Sequence, residues 1–284
     1  INTVRLSFLE GYSSLAAAGN AKFTVGFKNF VDVVKDSDFL RNLSNTFILC
    51  IATVPISTIL ALLIAVCLNA IKPLQKLLQT IFFLPYVTNS IAIGMVFAAM
   101  FNIVGLQGDG VTITKTAGII NNVIMAFGGS PVNWINPGSE KWANMVVLIV
   151  YIVWNALPFK ILILLGGLQN INKQYYEAAK VDGTSRARIF WRITVPLLSP
   201  MLAYVLITGF IGGFKEYSSV IGIFGQMGPP DDIHRLNTMV GYIYQQLDGS
   251  QAYGRASAGA LILFAIIMLV TVLNLYVSKK KVHY

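Results

Sequence analysis

Residues 175–196 read YYEAAKVDGTSRARIFWRITVP. Glu177, Lys180, Asp182, Arg186, Arg188 and Arg192 are gathered here, yet the flanking blocks 142–159 and 193–214 contain no Lys, Arg, Asp or Glu. The flanks suit lipid. The stretch between them suits water or another protein, so it reads as a polar connector at the surface of a membrane domain.

Composition supports that frame. Of 284 residues, 55% are hydrophobic and 12% charged, and the mean hydropathy is +0.66. A soluble domain carries about 25% charged residues. The apolar excess is concentrated in charge-free blocks at 42–71, 77–108, 142–159, 193–214 and 256–278. A helix crosses the ~30 Å hydrocarbon layer with about 20 apolar residues. The third block reaches residue 168 if Lys160 is tolerated, and Lys160 is expected to snorkel along its alkyl stem to the inner boundary. The expected fold class is therefore all-α, a polytopic membrane protein with five spans in this chain.

The formal charge of +9 fits insertion better than nucleic-acid binding, because basic residues accumulate in cytoplasmic loops. Lys279, Lys280 and Lys281 follow the last block and mark the cytoplasmic side. The loop 72–76 and the stretch 173–192 are basic and fall on that side too. The loops 106–141 and 225–255, which mix acids with bases, fall outside. Residues 1–41 are then extracytoplasmic, and a segment of that polarity reaches the outside most simply after an earlier span. An N-terminal span is accordingly expected to be missing, giving six or more in all. The division expected is an extracytoplasmic segment at 1–41, a transmembrane domain at 42–278 with a cytoplasmic loop at 170–196, and a basic tail at 279–284.

Pro55, Pro85 and Pro158 are expected to interrupt spans. Gly209, Gly212 and Gly213, with Gly254, Ala258 and Gly259, suit close helix approach. The outer loops carry Pro131, Trp134, Pro137, Pro229 and Pro230 and are expected to be ordered caps with little regular structure. Cys50 and Cys67 lie about 25 Å apart on one helix; both read as small core-filling residues.

Within the polar connector, Asn172 can cap a helix over 173–181. Gly183 permits a left-handed turn, and Thr184 or Ser185 can cap a second helix carrying Arg186, Arg188 and Arg192. Arg188 and Arg192 share a face, and Pro196 opens the next span. These residues alone leave two readings, a solvated loop or a docking element.

The order Glu177-Ala178-Ala179, Gly183, Ile193, Pro196 resembles the EAA signature of ABC importer membrane subunits, with Val195 where the signature prefers Leu. Leu84-Pro85-Tyr86, Trp134-Ile135-Asn136-Pro137, Gly166-Gly167-Leu168-Gln169 and Gly228-Pro229 extend the resemblance to the carbohydrate-uptake branch, the MalF-type subunit of maltose transporters. It covers essentially the whole chain, including 30–40, which is similar to the segment after that family's first helix. The resemblance implies a type I ABC importer transmembrane domain. Its loop would couple to an ATPase through Glu177, Ala178, Ala179, Asp182, Gly183, Arg186, Ile193 and Pro196.

The resemblance further implies a homologous second permease, two ATPase subunits that hold ATP and Mg, and an extracytoplasmic solute-binding protein. It implies a bacterial inner-membrane location and an oligosaccharide substrate, with glycerol phosphate as the alternative. No cofactor is expected on this chain. Trp154, Asn155, Pro158 and Phe159 resemble the family's cavity-lining segment, and residues before Gly228-Pro229 resemble another. The expected substrate path is Tyr151, Trp154, Asn155, Phe159, Phe210, Phe214, Tyr217 and Ser218, where aromatic faces can stack on sugar C–H surfaces and polar groups can replace water. Packing or interface-belt roles are the plain alternative for these aromatics.

Other classes fit less well. An ion-coupled secondary transporter needs an acid facing a cavity, and Glu216, at the outer end of a block, reads as a mouth residue. His234 and His283 show no metal-ligand spacing. No phosphate-binding G-x-x-x-x-G-K-[ST] loop is present, so no catalytic residue is expected and ATP hydrolysis falls to a partner.

Overall fold

The computed structural model describes residues 2–13, 22–71, 75–102, 118–232, 234–248 and 252–281. Among these, regular structure is helical, with one isolated bridge between Leu9 and Val25. In chain order the helices are α1 (Asn2–Phe8), α2 (Lys28–Lys35), α3 (Ser37–Ala70), α4 (Gln75–Val87), α5 (Ser90–Phe101), α6 (Ile119–Ala126) and α7 (Lys141–Asn170). There follow α8 (Lys173–Val181), α9 (Arg186–Ile189), a π-helical turn (Phe190–Thr194), α10 (Val195–Leu197), α11 (Ser199–Phe214), α12 (Ser218–Phe224), α13 (Met239–Asp248) and α14 (Tyr253–Lys281).

Among the described residues, helices α3, α7 and α14 are long and apolar enough to cross a membrane, and Arg186–Leu197 with Ser199–Phe214, bent by 66°, adds a fourth if the pair counts as one span. The apolar surface of α14 is left exposed at Phe264, Met268, Leu269 and Val272, as lipid contact requires. The expected second span behaves differently. Block 77–108 is divided between α4 and α5, of 13 and 12 residues. Asn89 makes the break: its side-chain oxygen accepts from the amides of Ile91 at 2.9 Å and Ala92 at 3.4 Å, starting a new helix. The end of that block, 103–108, lies outside the described residues, as do Lys72 and His283.

The proline expectation needs correction. Pro55 and Pro158 lie inside uninterrupted helices, because membrane helices tolerate the lost donor where side chains satisfy the backbone. Just after Pro55 the turn carries extra side-chain bonds: Ser57 Oγ donates to the Thr53 carbonyl at 2.5 Å and Thr58 Oγ1 to the Val54 carbonyl at 2.7 Å. The sharp bend falls at Leu198, between α10 and α11.

The chain forms two compact units. The first comprises Ile1–Ile51, Asn89–Ile152 and Gly213–Ile267; the second comprises Ala52–Thr88, Val153–Gly212 and Met268–Tyr284. In the first, Leu49, Phe101, Trp134, Leu148, Tyr151 and Val220 share a buried core. A Cβ on Gly94 would stand 2.6 Å from the Gly222 Cα, so α5 and α12 meet backbone to backbone. The expected glycine contacts divide. Gly209 and Gly254 have close neighbours, whereas a Cβ on Gly212 would enter open space.

The outer loops also hold more regular structure than expected, since α6 and α13 fall within them. Buried asparagines tie their irregular parts down. Asn121 Oδ1 accepts from the Trp134 indole at 3.1 Å, and Asn144 Nδ2 donates to the Trp134 carbonyl at 2.6 Å. Helix α13 is held to the start of α3 by Tyr242, whose hydroxyl donates to Asp36 at 2.9 Å and whose ring packs on Phe39. Burial, then the Asp36 carboxylate, pushes the Tyr242 phenol above its ordinary range. The boundary expected at residue 41 falls inside α3, which begins five residues before the first charge-free block because Asp36 accepts from the Asp38 amide at 2.9 Å. Cys50 is buried as expected; Cys67 is exposed instead, on a helix that turns part of its surface outward.

The second unit packs Ala61, Ala65, Ile161, Leu164, Leu198 and Val205. Lys160 is only 4% exposed within it. Its Nζ donates to Ser57 Oγ at 2.7 Å, Thr58 Oγ1 at 2.9 Å and the Val54 carbonyl at 3.1 Å. The expected snorkelling is therefore replaced by inward bonding, because α3 offers three oxygen acceptors within reach.

Candidate functional site: the polar loop and the substrate path

The polar loop lies wholly in the second unit and is built from local chemistry. Asn172 Oδ1 accepts from the Gln174 amide at 3.0 Å and starts α8. The helix ends as the Asp182 amide donates to Ala178 at 3.0 Å and the Thr184 amide to Ala179 at 2.9 Å. Gly183 supplies the intervening left-handed residue, with φ of +65°. Ser185 takes the position before α9, but no side-chain cap bond forms there. Tyr176 Oη and Thr194 Oγ1, 3.3 Å apart, tie α8 to the π-helical turn.

Ala179 is buried by this packing, and Glu177, Ala178, Asp182, Gly183 and Arg186 are exposed. Tyr175 and Val181 are also largely exposed. Between α8 and the following turns runs a groove of about 660 Å³, with Ala178, Asp182, Arg188, Arg192 and Ile193 in its walls. Arg188 and Arg192 thus share a face, as their spacing requires. Pro196 is half-buried, and its carbonyl accepts from Ser199 Oγ at 2.6 Å. The loop presents a small-residue helix face beside a basic groove, a surface suited to a protein knob.

The expected substrate-path residues divide between the units. In the first, Tyr151 is fully buried, its ring against Phe97 and its hydroxyl donating to the Ser90 carbonyl. Phe214 is equally buried, edge-on to Phe47. Both are packing residues in this conformation, because apolar neighbours enclose their rings. Tyr217 and Ser218 are half-buried. Glu216 accepts from the Tyr217 amide at 3.1 Å and the Ser219 amide at 3.0 Å, so its carboxylate serves the start of α12.

In the second unit Trp154, Asn155, Phe159 and Phe210 are all half-buried. Phe159 stacks on Tyr86, with centroids 5.7 Å apart and planes at 20°, and lies 6.5 Å from the Tyr204 ring. Tyr86 and Tyr204, both exposed, extend this aromatic surface and were not singled out from the sequence as path residues. The available signal was Tyr86 in Leu84-Pro85-Tyr86; Tyr204 carries none beyond its residue type.

Residues 57–283 match the model of the family described as binding-protein-dependent transport system inner membrane component. The chain belongs to that family. This permease is a transport subunit of the bacterial inner membrane. It is 31% identical over 255 residues to an arabinooligosaccharides transport system permease protein of Halalkalibacterium halodurans, covering 89% of this chain and 75% of that one. It is 30% identical over 253 residues to the lactose transport system permease protein of Rhizobium radiobacter, covering 88% and 78%. A bacterial ABC transporter structure involved in import of the acidic polysaccharide alginate superposes with a TM-score of 0.79 at 20% identity, over 98% of this chain and 88% of that chain. The permease therefore has the fold expected, an ABC importer transmembrane domain.

Proposed function

We propose that this permease is one of two membrane subunits of an ABC importer that carries an oligosaccharide into the cell. The observation that supports the substrate class is the similarity, over about nine-tenths of the chain, to permeases named for arabinooligosaccharides and lactose. The polar loop supports the energy source. Its helix, left-handed turn and basic groove form a projecting lever, and the cleft of a partner ATPase is the occupant it suits. Two such ATPases would bind ATP and Mg, and closing them would push the loop and bias the spans between inward-facing and outward-facing states. A homologous second permease completes the membrane domain, and an extracytoplasmic solute-binding protein delivers sugar. The engagement of Glu216 by backbone amides speaks against an ion-coupled site there.

Of the expected path residues, the second unit leaves Asn155, Trp154, Phe159 and Phe210 accessible enough to meet sugar, and the first, taken by itself, leaves Tyr217 and Ser218. The test is uptake of a panel of neutral oligosaccharides by the complete complex in proteoliposomes, with ATP inside and loaded binding protein outside. Import of at least one oligosaccharide is expected, together with a lowered rate in Asn155→Ala. ATP-driven import restricted to non-sugar solutes would overturn the reading.

A further inference from the structure

Tyr217, one of the path residues, pairs with a ring not assigned so far, and the two come from separately anchored elements of the first unit. The Tyr217 and Tyr244 rings lie 4.7 Å apart with planes at 17°, a close parallel stack. Tyr217 follows the end of α11, and its backbone is fixed by the Glu216 carboxylate. Tyr244 projects from α13, whose other side is buried through Met239 and Tyr242. A ring held in this way loses little freedom when a ligand covers it.

Tyr244 is nonetheless 48% exposed. A stacked tyrosine that leaves a face open is a platform for a second flat or ring-shaped group. Asp248, also exposed, stands one helical turn beyond Tyr244 on the same face of α13. Burial, then Tyr244 and Asp248, hold the Tyr217 phenol above its ordinary range, which places the carboxylate within electrostatic reach of the pair. An open aromatic face can take the C–H side of a pyranose or furanose. A neighbouring carboxylate accepts from its hydroxyls, and charge-assisted bonds of that kind are strong. The same carboxylate repels an anionic sugar.

We propose that Tyr244, backed by Tyr217 and flanked by Asp248, is a stacking site for a neutral sugar ring at the outer mouth of the permease. This rests on the reading of the chain as an oligosaccharide importer. Selection against uronates then follows from the charge of Asp248.

The experiment uses the complete complex in proteoliposomes with binding protein outside. Initial uptake is measured against concentration for neutral tri- to pentasaccharides and for oligogalacturonate. Tyr244→Ala should lower uptake of the neutral sugar at limiting concentration by about tenfold, the scale of one aromatic contact. Tyr244→Phe, which keeps the ring, should stay within about twofold on the same scale. Asp248→Lys should raise uptake of oligogalacturonate relative to the neutral sugar. An interface-belt tyrosine would behave otherwise: wild-type uptake by Tyr244→Ala at every concentration overturns the site. An unchanged acidic-to-neutral ratio in Asp248→Lys overturns the charge selection. A wild-type complex that carries no oligosaccharide overturns the importer reading, and this site with it.

Discussion

Lys160 Nζ donates to Ser57 Oγ at 2.7 Å inside the second unit, joining the apolar middle of α7 to the stretch of α3 just after Pro55. Thr58 Oγ1 and the Val54 carbonyl accept from the same ammonium. Gly209 on α11 leaves room for it, since a Cβ there would stand 3.3 Å from Nζ. A lysine in the middle of an apolar helix is thereby made part of the packing between helices.

The asymmetry of buried polar groups gives the first prediction. Lys160→Met removes the charge together with its need for partners, and the Ser57 and Thr58 hydroxyls keep their bonds to α3 carbonyls. The double change Ser57→Ala, Thr58→Val instead strips two acceptors from a buried ammonium. Hydrogen bonds to charged groups contribute about 1.5–3 kcal/mol each, and an unmet charge costs more than an absent one. Thermal unfolding of the purified complex should therefore fall further in the double variant than in Lys160→Met.

The loop gives the second. Gly183→Val forces a β-branched side chain into a left-handed residue, where a Cβ costs about 1–2 kcal/mol and branching adds to it. Glu177→Lys reverses an exposed charge on α8 without touching the fold. Both should leave ATP hydrolysis measurable while sugar uptake falls by an order of magnitude or more, about 1.4 kcal/mol per factor of ten. Uptake at the wild-type rate in both variants would make the loop a solvated connector.

Sidedness is tested by labelling. Ser130 and Ser185 are both exposed, so cysteine is accessible at either position. An impermeant maleimide added outside intact cells should label Ser130→Cys and spare Ser185→Cys until the membrane is opened. The reverse pattern would invert the permease and remove the docking argument.

The contact of α5 with α12 gives the last. Gly94→Ala would place a methyl group 2.6 Å from the Gly222 Cα, with backbone rather than a flexible side chain in the way. Overpacking of this kind costs about 1–3 kcal/mol, and the melting temperature of the complex should drop accordingly. Gly212→Ala, where a Cβ enters open space, is the control and should melt close to the wild type.

How far these features could be read without coordinates depends on the range of the interaction that makes them. The polar loop was legible because its determinants are local. Asn172 bonds two residues ahead, Gly183 adopts its own backbone conformation, and Arg188 and Arg192 share a face by helical period alone. The long apolar helices α3, α7 and α14 follow from hydropathy for the same reason: lipid imposes its demand on each segment separately. The inward bonding of Lys160 has no local signal, because it depends on Ser57 and Thr58, about a hundred positions away, which only packing brings within 3 Å. Tyr244 likewise carries no local signal, because its significance lies in a ring 27 positions earlier in the chain. Gly94 gave no signal, since what distinguishes it is the absence of side-chain bulk on Gly222 opposite. Residue composition along the chain is enough to say which segments prefer lipid and where the chain turns. Which polar and aromatic groups are consumed by packing, and which stay open to a ligand, is settled by folding, because that choice is made by partners distant in the chain.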